Sequence, residues 1–359
     1  MKSRSNWIVD GDKNSKFFHL STIKHRNHNR IHCLRSSNEE WITDPRGIAN
    51  LIRNHFVHLF SSSLEHSFHD SFNNLRVDSS SLIDLSGLDG IPDDQEIRAG
   101  LFCLKPFKAP GPDGLHPAFF QKLWDSVKEV ICADIKQAFS STTIPVEWNN
   151  CLISLIPKIK NPETVKQFRP IGLCNTSYKI ISKIIVNKIK PFLDSLISPY
   201  QASFVPGRKG IDNVIILQEL VYSFSKKKGR KGDMIIKLDL EKTYDCLEWS
   251  FIREALVFFN FPAKTISLIM SCIFSRNISI LVNGDKIEPF SPSRGIRQGD
   301  PLSPYIFILC LEFLSIKIFA DMASGLWKGS KAGKSGPILS QLFFADDLIF
   351  VGKASRENC

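Results

Sequence analysis

Two apolar runs enclose a pair of adjacent carboxylates in Phe343-Phe344-Ala345-Asp346-Asp347-Leu348-Ile349-Phe350-Val351. Far upstream, Met234-Ile235-Ile236-Lys237-Leu238-Asp239 ends another strand-like run on a third carboxylate. Short apolar runs rich in Ile, Leu and Phe read as buried strands, and a packed core gains nothing from anions at their ends. Three carboxylates on neighbouring strands suit a hard divalent cation, because Mg²⁺ takes oxygen ligands, usually one or two carboxylates plus substrate phosphates. The chemistry indicated is two-metal phosphoryl transfer. Taken singly, Asp346-Asp347 also reads as a solvated hairpin tip, and Asp239 as the N-cap of a helix opened by Glu241-Lys242-Thr243-Tyr244.

Between the carboxylates lies Ser293-Arg294-Gly295-Ile296-Arg297-Gln298-Gly299-Asp300-Pro301-Leu302-Ser303-Pro304, which leads into an apolar stretch from Tyr305 to Phe319. A Gly-rich basic turn opening a helix can set backbone N–H groups and guanidinium forks against a phosphate or sugar. It can equally be an ordinary turn with a proline stop.

The elements that must position these residues are partly legible. Asp93, with Glu96 three positions on, has the spacing of a capping box and opens a helix. Lys105 to Gly114 is a rigid Pro- and Gly-rich turn, and Pro117 to Phe139 has helical spacing. Cys151 to Ile159 and Phe168 to Leu173 read as extended pieces. Ser177 to Lys190 reads as an amphipathic helix with Ile180, Ile181, Ile184, Ile185 and Ile189 inward and a solvated lysine face, ended by Pro191. Asn283-Gly284 marks a hairpin. Arg53 to Phe60 reads as a short amphipathic helix in an otherwise basic and polar first hundred residues.

The formal net charge of +10 over 359 residues suits a polyanionic partner. The excess is concentrated early, with Lys2, Arg4, Lys13, Lys16, Lys24, Arg26, Arg30 and Arg35 against Asp10 and Asp12. Nine cysteines without a CxxC pair argue for free thiols in a reducing compartment. Histidines at short spacing (His25, His28, His32; His55, His58; His66, His69) lack cysteine partners at zinc-finger spacing and read as surface residues or nucleic-acid contacts, not zinc ligands. No signal peptide opens the chain, and Glu312 and Lys317 interrupt the longest apolar stretch, so no membrane span is expected. A soluble intracellular protein is expected. Lys226 to Lys231 reads as a solvated loop or a nuclear-targeting patch.

Taken in order, these segments resemble the reverse transcriptase of plant LINE-type non-LTR retrotransposons. The matching pieces are Gly11 to His19, Lys108 to Gly114, Leu155 to Lys158 with Arg169-Pro170-Ile171, Gln201 to Arg208 with Asp212-Asn213, Leu238 to Asp245, Arg294 to Pro304, and Phe344 to Asp347. The resemblance implies an α+β right-hand polymerase fold: a basic, RNA-binding extension over residues 1–90, α-rich fingers over 91–225, and a palm on an antiparallel sheet over 226–359. It implies that the thumb and the endonuclease of such elements lie outside these residues.

It also implies roles. Asp239, Asp346 and Asp347 resemble the catalytic, metal-binding carboxylates, for two Mg²⁺ ions. Lys158 and Arg169 resemble residues that neutralise the triphosphate, Gln298 a contact to incoming nucleotide and template, and Tyr244 the aromatic that excludes a ribose 2′-hydroxyl. Tyr244 at a strand-to-helix join can also be a core aromatic. Nucleic-acid contacts are expected at Lys13, Lys16, Lys24, Arg26, Arg30, Lys108, Arg294 and Arg297. The partners implied are an RNA template, a DNA primer or target, and dNTPs. The implied setting is the nucleus for integration and the cytoplasm for particle assembly. Thr243 and Cys246 replace the Ala and Arg frequent in the family. Two alternatives remain: a catalytically dead truncated copy that only binds nucleic acid, and a group II intron maturase-like protein, against which the Gly11 to His19 segment argues.

Overall fold

The structure is a computed structural model that describes residues 20, 21, 23, 24, 27, 29–63, 83–227, 232–274, 277–333 and 336–355. Two sheets dominate it. Strands β1 (Leu34–Arg35) and β2 (Trp41–Ile42) form a small ribbon that precedes helix α1 (Pro45–Leu59). The helix starts where Asp44 Oδ2 accepts the Gly47 N–H at 2.8 Å and Pro45 supplies a fixed φ at the first position. Its buried stripe is Ile48, Ile52, Phe56 and Leu59, a three- and four-residue spacing that puts one face inward.

That face packs on a four-stranded sheet. Strands β3 (Cys151–Pro157) and β4 (Phe168–Cys174) pair antiparallel, and β6 (Ile278–Val282) joins the other edge of β3 in parallel. A hairpin then returns as β7 (Asp285–Lys286). Asn283 and Gly284, at φ 56° and 103°, make its turn, as the Asn-Gly pair predicts for a type I′ hairpin. Asn283 also clamps the N-terminal segment: its Oδ1 accepts from Ile31 N–H at 2.8 Å and its Nδ2 donates to Ile31 O at 2.9 Å. Ile153, Leu155, Phe168, Ile280 and Val282 share one core with Ile48, Ile52 and Phe56. Segments expected to form fingers and palm therefore share this sheet, and a helix from the expected extension packs on it.

The second sheet has three strands in the order β10-β11-β5, all antiparallel: β5 (Asp233–Asp239), β10 (Gln341–Phe344) and β11 (Asp347–Lys353). A short ribbon, β8 (Ser330–Lys331) with β9 (Ile338–Leu339), lies beside it.

Helices fill the space around these sheets. Helix α2 (Asp94–Phe102) opens with the expected reciprocal box, Glu96 N–H to Asp93 at 2.7 Å and Asp93 N–H to Glu96 at 3.1 Å. Helix α3 (Trp124–Ser141) buries Ile131, Ile135 and Phe139. Helix α4 (Thr176–Ile189) carries the expected isoleucine face, all of it buried. Its other face is only in part the solvated one expected, with Asn187 exposed and Lys183 and Lys190 half-buried. Lys179 is buried, with Nζ donating to Ala109 O at 3.1 Å, and Lys188 pairs with Glu96 at 3.4 Å. The turn from Lys105 to Gly114 covers that side, which no periodicity argument could foresee.

Helix α5 (Gly210–Lys226) lays Leu220 against Leu342 and Val351 of the three-stranded sheet. Helices α6 (Trp249–Phe258), α7 (Ala263–Ile273) and α8 (Ser303–Ala323) complete the main core. No described helix is long and apolar enough to cross a membrane.

Phe56, at 1 % exposure, is the anchor between α1 and the four-stranded sheet. Phe56→Ala is expected to reduce unfolding free energy by roughly 3–5 kcal/mol. The denaturant midpoint checks this; a change below about 1 kcal/mol would mean the helix is not docked as described.

Candidate active site

The two sheets face each other across a cleft of about 510 Å³. One wall begins at the register of β5 against β11, which sets Asp239 opposite Asp347. Asp346 sits in the two-residue turn between β10 and β11, and its carbonyl accepts from the Leu240 N–H at 3.5 Å. Asp239 and Asp346 are exposed and both line the cleft. Asp347 does not line it; its carboxylate lies 2.8 Å from Lys237 Nζ, a diagonal cross-strand neighbour. The expected three-carboxylate group is thus two carboxylates on the cleft and one ion-paired beside it.

The turn that carries Asp346 is held from beneath. Ala345 has φ 53°, a region that costs an L-residue about 1 kcal/mol or more. Gln201, buried at 1 %, supplies the restraint: its Oε1 accepts the Ala345 N–H at 3.2 Å and the Ser203 N–H at 2.9 Å. Phe343 exchanges backbone hydrogen bonds with Tyr200 and Ala202, and Asn213 Nδ2 donates to Phe343 O at 2.9 Å. Arg208 gathers the carbonyls of Ser198, Gln201 and Ile197. The motif from Gln201 to Asn213, quoted above without assigned roles, is therefore the hairpin's buttress. Gly210 belongs to it, because a Cβ there would lie 2.5 Å from the Phe344 ring.

The opposite wall is cationic. Lys158 follows the end of β3, where its N–H donates to Gln167 O at 2.8 Å, and Arg169 pairs across from Ile156 on β4. Both are exposed and line the cleft, with Lys166 and Lys242. His55 of α1 lines it too, held neutral because burial, then the charges of Lys242, Lys166 and His58, lower its pKa to about 4.

The floor is aromatic and amide. Tyr244 stacks on Phe307 at 4.7 Å and 20°, so it is both a packed aromatic and a cleft residue. Burial, and secondarily the charge of Asp346, raise its pKa, which keeps the phenol protonated. Gln298 Nε2 donates to Asp245 Oδ1 at 3.0 Å. Burial pushes the Asp245 carboxyl up to about 6, against the opposing pull of Gln298, Lys242 and Lys158.

The loop bearing Gln298 is fixed by backbone bonds: Gly172 N–H to Gln298 O at 2.7 Å, Ile296 N–H to Tyr244 O at 2.7 Å, and Gly295 N–H to Leu247 O at 2.8 Å. Gly295, at φ 89°, would place a Cβ 2.6 Å from Asp245 O, so only glycine fits.

Two of the expected nucleic-acid contacts are turned inward. Arg297 is buried, its guanidinium 4.5 Å from the centre of the Tyr178 ring and donating to Asn149 O and Oδ1. Arg294 points inward to Leu59 O at 2.9 Å and Glu248 at 3.3 Å. Their guanidinium donors serve the fold. Behind them Asp300 accepts from Tyr178 Oη at 2.6 Å, Ser182 Oγ at 2.5 Å and Leu302 N–H at 3.0 Å. Lys24, Arg30 and Lys108 are exposed away from the cleft walls. Lys13, Lys16, Arg26 and the Gly11 to His19 segment lie outside the described residues.

The family model for reverse transcriptase (RNA-dependent DNA polymerase) matches residues 156–358, more than half of the chain. The chain belongs to the reverse transcriptase family. It is 28% identical over 314 residues to the Transposon TX1 uncharacterized 149 kDa protein of Xenopus laevis, covering 87% of this chain and 24% of that protein. It is 26% identical over 256 residues to the Retrovirus-related Pol polyprotein from type-2 retrotransposable element R2DM of Drosophila melanogaster, covering 71% of this chain and 23% of that one. A 67-residue stretch is 45% identical to the uncharacterized mitochondrial protein AtMg01250 of Arabidopsis thaliana, covering 19% of this chain and 55% of that protein. The chain thus spans about a quarter of the first two relatives.

Mg²⁺, the ion a reverse transcriptase implies, is compatible with these donors. Asp239 and Asp346 offer two carboxylates on one cleft wall, and the cations opposite suit phosphates that would complete an oxygen shell. Among the described residues, no three His, Cys, Asp or Glu side chains are grouped so as to hold a metal by themselves.

Arg297→Lys gives up the stacking and the bonds to Asn149 and is expected to cost roughly 2–4 kcal/mol of stability. The salt dependence of nucleic-acid binding is expected to stay as it is. A slope reduced by about one at unchanged stability would make Arg297 a phosphate contact after all.

His55 sets a second expectation. Its value is about 4 when folded and 6.5 when unfolded, so the unfolded chain takes up the proton first. Stability should therefore fall as pH drops from 6.5 toward 4, and His55→Gln should flatten that part of the profile. Denaturant midpoints measured across the window check this; superimposable profiles would mean His55 titrates normally.

Proposed function

We propose that this chain is the RNA-directed DNA polymerase portion of a LINE-type retrotransposon protein, of plant origin, adding dNTPs to a primer 3′-hydroxyl on an RNA template. The observation that carries the reading is the meeting, in one cleft, of Asp239 and Asp346 with Lys158, Arg169, Tyr244 and Gln298. These come from four separate stretches of chain, and the part of each is the one the family resemblance implies.

In this reading residues 91–225 act as fingers and residues 226–359 as the palm, so the three-stranded sheet belongs to the palm and the four-stranded sheet joins β3 and β4 of the fingers to β6 and β7 of the palm. Asp239 and Asp346 would hold the two Mg²⁺ ions, with Asp347, now paired with Lys237, the third carboxylate beside them. When bound, the metal makes the primer hydroxyl a better nucleophile and neutralises the phosphates in transfer. The chain's own residues do the rest. Lys158 and Arg169, with Lys166 and Lys242 beside them, bind the triphosphate and orient it toward the carboxylates. Tyr244 lies where a sugar would rest, and its ring, backed by Phe307, cannot yield to a 2′-hydroxyl. Gln298 offers an amide to the nucleotide. DNA primer or target and RNA template take the exposed basic surface to which Lys24, Arg30 and Lys108 contribute, and Lys13, Lys16 and Arg26 are assigned the same part.

Purified protein with a primer annealed to RNA, dNTPs and Mg²⁺ is expected to extend the primer. Asp346→Asn should slow extension by about a thousandfold, roughly 4 kcal/mol of transition-state stabilisation, with the unfolding midpoint retained. Extension at the parental rate would remove Asp346 from the site.

A further inference from the structure

Asp245 has no role in the chemistry described so far. It is buried at 2 %, yet it lines the cleft and is bonded to the side chain of Gln298. A carboxylate in such a place needs a reason, since an unpaired buried charge is costly. The turn that carries it includes a left-handed residue: Lys242, three residues earlier, has φ 56°, and the Asp245 N–H returns to Lys242 O at 2.9 Å. Gly295 yields space directly above its carbonyl.

The hydrogen-bond inventory gives the reason. A glutamine amide can turn either end toward a neighbour, and an amide or hydroxyl neighbour would accept both orientations. An ionised carboxylate has no donor, so it admits only the amide nitrogen. Gln298 Nε2 faces Asp245 Oδ1 at 3.0 Å, which leaves Oε1 for a ligand in the cleft. We propose that Asp245 is a positioning residue for nucleotide binding: it locks the Gln298 amide so that its oxygen is presented to an O–H or N–H donor of the incoming nucleotide. This rests on the polymerase reading for the identity of the ligand, but the lock itself is a property of the pair.

The lock is sensitive to acid. The charged groups that face Asp245 are Lys242 from its own turn and Lys158 from beyond the end of β3, and both favour the carboxylate. Burial works against them and brings the carboxyl to about 6. Once protonated, Asp245 can donate as well as accept, and the amide is no longer held in one orientation.

The test uses the full chain in two measurements. In the first, dNTP kinetics of primer extension are followed from pH 5.5 to 8 for the parent, Asp245→Asn, Gln298→Ala and the double variant. Asp245→Asn is expected to raise KM for dNTP about tenfold, the worth of one charge-assisted hydrogen bond, with a much smaller change in kcat. The parental KM should climb below pH 6 while that of Asp245→Asn stays flat. On the Gln298→Ala background Asp245→Asn should add nothing. Equal effects on both backgrounds, or an unmoved pH profile, would overturn the proposal.

In the second measurement, the Gln298 side-chain amide is followed by ¹⁵N NMR, assigned by its loss in Gln298→Ala. Its signal should titrate near pH 6 in the parent. A signal that does not titrate overturns the proposal whatever the activity. Failure of the parent to extend any primer at pH 8 would count against the polymerase reading instead, and the amide titration would still decide the role of Asp245.

Discussion

The antiparallel register between β5 and β11 decides where the cleft carboxylates stand. Seven residue pairs, from Asp347 opposite Asp239 to Lys353 opposite Asp233, fix it. A slip by one residue would send every side chain of β5 to the other face of the sheet, taking Asp239 away from the turn that carries Asp346. The far end of the register is pinned by charge: the Asp233 carboxylate, wholly inaccessible, takes Lys227, Lys353 and Ser330 together. One end of β5 thus holds a neutralised anion, and the other presents an anion to solvent.

Around this register the molecule places its polar burial where a loop must not move. Arg297, Tyr178, Ser182, Asn149 and Asp300 fasten the loop of Gln298 from behind, while Gln201 and Asn213 fasten the hairpin of Asp346 from below. Buried polar contacts of this kind contribute modestly to net stability, but they are costly to break. They suit a site whose two halves come from different sheets and must hold a fixed separation.

How far the sequence foretold this depends on the range of the interaction. Asp239 and Asp346 were legible because a carboxylate at the end of an apolar run is a local oddity. The capping box at Asp93 and the Asn283-Gly284 hairpin were legible for the same reason, since each is contained within four residues. The pairing of Asp347 with Lys237 was not, because it depends on a diagonal across two strands remote in sequence. The inward bonds of Arg297 and Arg294 were not legible, because nothing nearby announces Tyr178, Asn149 or Glu248 as their partners. His55 was passed over among scattered histidines, and its neutral state arises only where α1 meets the cleft. Asp245 stood inside a recognised motif, but its purpose needed Gln298 beside it.

The docking of α1 bears on what can be cut from this protein. The family match starts at residue 156, within β3, whose first residue is Cys151. An excised piece beginning there would divide a central strand that pairs on both edges and uncover Phe168, Ile280 and Val282, which α1 now covers. It would also lose His55, Phe56 and Leu59 from the cleft wall. The packed unit is therefore wider than the family match. Boundaries drawn on the family match alone would split β3, whereas boundaries drawn upstream of the β1–β2 ribbon keep the sheet and the helix that covers it together.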